Sequence, residues 1–214
     1  MILQIIHLDA DLIVINKPPG LLSVPGRGPD KQDCVLHRLH AVGHPEALIV
    51  HRLDMATSGL LLLARSPAAQ RSLSMAFEAR QVGKRYVAVV QGFMEGAMDE
   101  AGAPGGWQQI DLPLLTDWPN RPRQKVDQAL GKPSRTRWQV LSRDATAETT
   151  RLALEPLTGR SHQLRVHLLA LGHPIVGDAM YGPPEAALVA RLLLHASHLE
   201  LPDRHLNLHC PAEF

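Results

Sequence analysis

The segment His51-Arg52-Leu53-Asp54-Met55-Ala56-Thr57-Ser58-Gly59 sets one carboxylate beside one guanidinium on a polar loop that runs into an apolar stretch. Reactive groups favour loops mounted on rigid elements, and a carboxylate so placed suits a nucleophile or a proton acceptor. An ion pair or a turn would explain Arg52 and Asp54 alone, but two further segments extend the pattern. Lys84-Arg85-Tyr86 places an aromatic ring among cations at the head of a β-rich run, an arrangement that stacks on a base while the cations meet phosphate. Thr158-Gly159-Arg160-Ser161-His162-Gln163-Leu164-Arg165 opens a helical pattern, where free N–H groups favour anions. The two arginines of that first turn oppose the helix dipole, which points to a separate use for them.

These residues need a frame. Ile2 to His7 and Leu12 to Ile15 flank Leu8-Asp9-Ala10-Asp11 and predict a first hairpin. Asn16 to Gly20 and Ser23 to Pro29 form a Pro/Gly-dense loop that covers or binds something. Gly59 to Ala64 is a continuous apolar run, predicted as a strand buried on both faces. Ser66-Pro67 then caps a helix running to about Arg80, with Leu73, Ala76 and Phe77 on one face. Tyr86 to Val90 predicts a further strand. Ser134 to Leu141 and Thr149 to Leu154 predict a second hairpin, and Ser161 to Leu171 a late helix closed by Gly172. The Gly- and Ala-rich stretch from Gly92 to Trp107 predicts an exposed connection, and the segments from Leu192 to Leu201 and from Leu206 onward are β-rich. Hairpins near both ends without a strict βαβ rhythm predict an α+β fold around a mixed, largely antiparallel sheet.

Bulk properties bound the function. The 214 residues suit one domain spanning 1–214, and a net charge of +1 requires any nucleic-acid surface to be local. Arg121, Arg123 and Lys125, continuing to Lys132, Arg135, Arg137 and Arg143, form the strongest basic stretch, with Trp118 and Trp138 available for stacking. A charge run also serves as a solvated face, and Trp138 fits partial core burial. Two cysteines, Cys34 and Cys210, make no disulfide framework or zinc spacing. With a start too short for a secretory core and no long apolar stretch, a cytoplasmic protein is expected.

Taken in order and separation, His51-Arg52-Leu53-Asp54 with Thr57-Ser58-Gly59, then Lys84 and Tyr86, then Thr158-Gly159-Arg160, His162-Gln163 and Arg165 resemble the RluA family of pseudouridine synthases. Asn16-Lys17-Pro18-Pro19-Gly20 with Val24-Pro25-Gly26 is similar to that family's first motif. Gly172-His173-Pro174-Ile175-Val176-Gly177-Asp178 with Tyr181-Gly182 is similar to the continuation of its last. Asp117 to Pro122 and Pro211 to Phe214 resemble the RluA branch, whose substrates are ribosomal and transfer RNA.

The resemblance implies isomerisation of uridine in structured RNA without a cofactor; the sequence shows no metal motif or obligate protein partner, and a monomer is the default expectation. It implies Asp54 as the catalytic aspartate, Arg165 as its ion partner and Tyr86 as the active-site tyrosine. Leu164 is implied as an apolar platform, and Lys84, Arg160, His162 and Gln163 as substrate or RNA contacts. Asp54 has two routes open, addition to the nucleoside or removal of a ribose proton. Two roles fit Arg52, a wedge that fills the space of a flipped base or a second carboxylate partner. Relatives that carry a separate small RNA-binding domain of the S4 type set an expectation that this chain, starting in the catalytic segment, recognises RNA through its core.

Three other readings compete. Asp9 and Asp11 superficially resemble the nucleophile strand of haloacid-dehalogenase-type phosphatases, although a hairpin turn explains them. The histidines at 195, 198, 205 and 209 invite a metal, without the spacing of a known site. A noncatalytic RNA-binding protein of the same fold is the third, and the presence of Asp54, Tyr86 and Arg165 argues against it.

Overall fold

A computed structural model describes residues 3–96 and 106–214, and the chain divides into two compact units. One comprises Met1–Lys84 with His195–Glu213, the other Arg85–Leu194 with Phe214. Much of the connection expected between Gly92 and Trp107 lies outside the described residues.

In the first unit, β1 (Gln4–Leu8) and β2 (Leu12–Lys17) form the expected antiparallel hairpin. Its turn is held by Asp9, whose Oδ1 accepts from the amides of Asp11 (2.8 Å) and Leu12 (2.9 Å), so this carboxylate is occupied as a turn-former. Strand β2 pairs antiparallel with β4 (Ser58–Ala64), as does the two-residue β3 (Leu48–Ile49). On its other side β4 pairs in parallel with β11 (Leu194–Leu201), whose far edge carries β12 (Leu206–His209).

All seven residues of β4 are buried, as its unbroken apolar run predicts. Leu60, Leu62 and Ala64 share a core with Ala69 and Leu73 of α2 (Pro67–Glu78). Ser66 caps α2, its hydroxyl accepting from Ala69 N–H at 3.1 Å, and Pro67 starts it. Helix α1 (Val35–Ala41) is absent from the sequence prediction. It has two turns and is capped by a thiol, Cys34 Sγ accepting from the amide of His37, which is outside the usual capping set.

In the second unit the strand order is β5 (Gly83–Gln91), β10 (Thr149–Pro156), β9 (Arg135–Asp144), β6 (Gln108–Asp111), all antiparallel. The β9–β10 hairpin is the one expected from alternation, and Trp138 is buried within it. A separate small hairpin, β7 (Leu114–Thr116) and β8 (Gln124–Val126), carries Arg121, Arg123 and Lys125 of the basic stretch, while Arg135, Arg137 and Arg143 lie on β9. Helix α3 (Gln163–Ala170) begins two residues later than expected, because His162 takes a left-handed conformation (φ 54°) before it. Leu114 of β7, Val166 of α3 and Tyr181 form a small core, joined by Val126.

The result is α+β with largely antiparallel pairing, parallel at β4 and β11. Gly59 makes that parallel contact possible. It has φ 108°, and a Cβ there would lie 2.3 Å from the carbonyl oxygen of Ala196. Gly59→Ala should therefore lower unfolding free energy by about 3 kcal/mol or more, from backbone strain plus overlap. Urea titration will read this as a lower midpoint, and an unchanged midpoint would contradict the contact.

Candidate active site

Asp54 lies on the loop between β3 and β4, and that loop is tied down through its backbone. Lys17, at the end of β2, is fully buried, and its ammonium donates to the carbonyls of Pro18 (2.9 Å), Leu21 (2.8 Å) and Met55 (3.0 Å). Gly20 N–H donates to the same Met55 carbonyl at 2.8 Å. Ser23 holds the other side of the carboxylate, its hydroxyl donating to Leu53 carbonyl (2.8 Å) and accepting from Leu53 N–H (3.2 Å). The amide of Thr57 closes a turn on the Asp54 carbonyl at 3.1 Å. The Pro/Gly-dense loop thus covers the Asp54 segment and fixes the residues on both sides of it.

Asp54 itself is half-buried, while Arg52 and Met55 on either side are exposed. A buried ammonium is tolerated only when its donors are satisfied, and three carbonyls meet that need while drawing two loops together.

His51 anchors the start of the loop from within. Its Nε2 accepts from Leu62 N–H at 3.0 Å, and its ring stacks on Phe77 with centroids 4.5 Å apart. Burial first, and then repulsion from Lys84, lowers its pKa from 6.5 to about 3, so the imidazole is neutral and keeps the lone pair that Leu62 needs. Lys84 turns inward in the same unit, its ammonium 5.5 Å from the Phe77 ring centre and its pKa lowered by burial. Its ammonium thus lies near the ring on which His51 stacks.

Tyr86 stands in the second unit, half-buried on β5 opposite Leu154 and on the same face as the buried Ala88 and Val90. Arg165 on α3 is 5% exposed and forms a two-pronged pair with Asp178, Nε to Oδ2 at 2.8 Å and Nη2 to Oδ1 at 2.7 Å. Asp178 is 1% exposed, and its Oδ1 also accepts from the amides of Met180 and Tyr181, each at 3.0 Å. This planar fork holds the guanidinium in one orientation. The Tyr181 ring lies 4.9 Å from the Arg165 guanidinium and 5.3 Å from that of Arg123.

Gln163, expected as a substrate or RNA contact, and Leu164, expected as an apolar platform, are both buried. Gln163 is 4% exposed with every amide position used. Its oxygen accepts from Thr158 hydroxyl (2.7 Å) and Arg160 N–H (3.0 Å), and its nitrogen donates to Arg135 carbonyl (2.9 Å) and Thr136 hydroxyl (3.0 Å). It ties the approach to α3 onto β9. Arg160, Arg121, Arg123 and Lys125 are exposed, while His162 is half-buried with Nδ1 2.7 Å from the Tyr181 hydroxyl.

Sequence reasoning assigned no role to Lys17, Ser23, Asp178 or Tyr181. The first two sit in the covering loop and the last two after Gly172, so the segments carried a signal although the partners did not. His195, considered as a metal ligand, lies with Nδ1 2.9 Å from Ser58 hydroxyl and Nε2 3.0 Å from the carbonyl of Cys210.

An RNA pseudouridylate synthase family model matches residues 11–170. A dual-specificity RNA pseudouridine synthase RluA of Yersinia pestis is 49% identical over 215 residues, covering 98% of this chain and 99% of that protein. The RluA protein of Escherichia coli K12 is 46% identical over 217 residues, covering 99% of this chain and 94% of its own length. Among solved structures, human RNA pseudouridylate synthase domain containing 1 superposes with a TM-score of 0.79 at 30% identity, covering 98% of this chain and 83% of that one. The chain belongs to the RNA pseudouridylate synthase family. It is an isomerase that converts uridine in RNA to pseudouridine.

The half-buried, neutral His51 sets a pH signature. An unfolded chain protonates it near pH 6.5 and the folded chain near pH 3, so its contribution to stability is fully present above pH 6.5 and is lost progressively as pH falls towards 3. Between these limits the wild type should lose up to about 1.4 kcal/mol per pH unit more than His51→Gln, which keeps an acceptor for Leu62. His167, whose pKa is also lowered by burial, acts equally in both chains. Denaturant unfolding at several pH values measures the difference, and parallel profiles would contradict a neutral His51.

Proposed function

We propose that Asp54 is the carboxylate that starts the isomerisation, and that the substrates are uridines in stem-loops of ribosomal RNA and of the tRNA anticodon arm. The single observation that carries this assignment is the fixed backbone around Asp54, where Lys17, Gly20 and Ser23 hold Leu53 and Met55 while the carboxylate side chain stays half-exposed. The dual-specificity description borne by the bacterial relatives supports two RNA classes.

The reaction breaks the N1–C1′ bond, turns the base over and joins C5 to C1′. The proton on C5 is lost and N1 gains one, so nothing leaves and no oxidant or reductant is needed. An ionised Asp54 serves either by adding to the nucleoside or by taking a ribose proton. Tyr86 stacks on the base and is suited to accept the C5 proton, and Arg165, oriented by Asp178, supplies fixed positive charge. Unstacking the target requires a group to fill its place, and the exposed Arg52, next to a pinned Leu53, is suited to that. Arg121, Arg123, Lys125, Arg160 and His162 are assigned to the RNA backbone, whereas Gln163, Leu164 and Lys84 act by positioning.

The protein is taken to work in the cytoplasm as a monomer without a cofactor. Its two free, buried cysteines agree with a reducing compartment.

Asp54→Ala should abolish pseudouridine formation, with product below about one part in a thousand of wild type in a single-turnover assay, while stem-loop affinity changes by less than about threefold. Undiminished product formation would remove Asp54 from the chemistry.

A further inference from the structure

The hairpin β7–β8 ends in a feature that the chemistry of the uridine does not use. Trp118 is 63% exposed, and the Arg121 guanidinium lies over its ring at 4.1 Å from the centroid. One face of the indole is therefore capped by a cation and much of the rest is open to solvent. An exposed tryptophan leaves a large apolar ring in water, and a guanidinium on one face makes the pair a flat, positively charged stacking surface.

The hairpin tip holds this surface in place. Asp117 N–H donates to Arg123 carbonyl and Arg123 N–H to Asn120 carbonyl, both at 3.0 Å. Asn120 donates from its backbone to Asp117 carbonyl (3.0 Å) and from its side chain to Asp117 Oδ2 (2.9 Å). The strand pair next to the tip, Thr116 with Gln124, is fixed by Tyr181, whose hydroxyl accepts from Gln124 N–H at 2.7 Å. The acids nearby are turned to internal work, Asp117 on Asn120 and Asp127 on the amides of Ala129 and Leu130 and on Lys125. Exposed charge at the tip is positive, from Arg121 and Arg123.

We propose that Trp118 and Arg121 form a stacking subsite for a second unpaired base of the substrate RNA, distinct from the uridine that is isomerised. The inference rests on the chain being an RNA pseudouridine synthase. An unpaired nucleotide is the ligand class whose base offers a flat face to indole while its backbone phosphates meet Arg121 and Arg123. The subsite reads the presence of a splayed base rather than its edge, so it selects loops over duplex and acts on binding rather than on bond breaking.

The test uses the full chain and a synthetic stem-loop RNA that the wild type converts. Trp118→Ala should raise KM about tenfold with kcat at saturating RNA unchanged, and Trp118→Phe should raise it less. Because the side chain is exposed, the unfolding midpoint should stay the same, which separates the effect from misfolding. Single abasic nucleotides placed along the loop should reveal one position, not the target uridine, that raises KM to a similar degree in the wild type. That position should add nothing further in Trp118→Ala. An unchanged KM in Trp118→Ala, or abasic effects that multiply with it at every position, would overturn the subsite. Failure of the wild type to convert any stem-loop RNA would overturn the assigned substrate class, and the subsite with it.

Discussion

A single buried ammonium organises the segment that carries Asp54. Lys17 gives up hydration entirely and is compensated by three carbonyls from two loops, one of them next to Asp54. The compensation works in both directions, since the carbonyls also need a donor once they are buried. Displacing the Asp54 loop would therefore leave a charge and several polar groups unsatisfied together. The same economy explains why a loop rich in Pro and Gly lies across the carboxylate segment. Pro18 and Pro19 restrict the backbone, and Gly20, at φ 80°, turns back to bring its amide to Met55.

The second unit solves a similar problem with a different pair. Arg165 and Asp178 are buried together, and Asp178 is further committed to two backbone amides, so the guanidinium is oriented by a carboxylate that cannot itself move freely. Gln163, Thr158, Thr136 and His167 form a hydrogen-bonded network that fastens α3 to β9 and its neighbours, His167 reaching Leu112 carbonyl at 3.0 Å. Such networks specify one arrangement because any shift leaves several buried groups unpaired. Polar residues in the Thr158–Arg165 segment are thus divided between holding the helix and facing solvent.

Much of the frame was legible because local rules and burial agreed. The apolar run of β4, the Ser66-Pro67 start of α2 and the alternation of β9 and β10 each have one structural answer, and the chain adopts it. Helix α1 was hidden because it is short and its cap is Cys34. The small β7–β8 hairpin was hidden because three-residue strands leave too little alternation to detect. At the proposed site, residue types and order single out Asp54, Tyr86 and Arg165 as candidates. The duties of Lys17, Asp178 and Gln163 depend on partners distant in sequence, which spacing does not encode. Gln163 shows the limit plainly, since its bonds to Arg135 and Thr136 of β9 join residues far apart in the sequence.

Isomerisation of particular uridines in structured RNA through Asp54 is open to direct test in cells. The most direct measurement is a pseudouridine map of total cellular RNA, compared between cells with and without the protein and cells supplied with the Asp54→Ala chain. Pseudouridine should disappear at a small number of stem-loop positions in ribosomal and transfer RNA when the protein is absent, return with the wild type and fail to return with the variant. An identical map in all cases would contradict the claim.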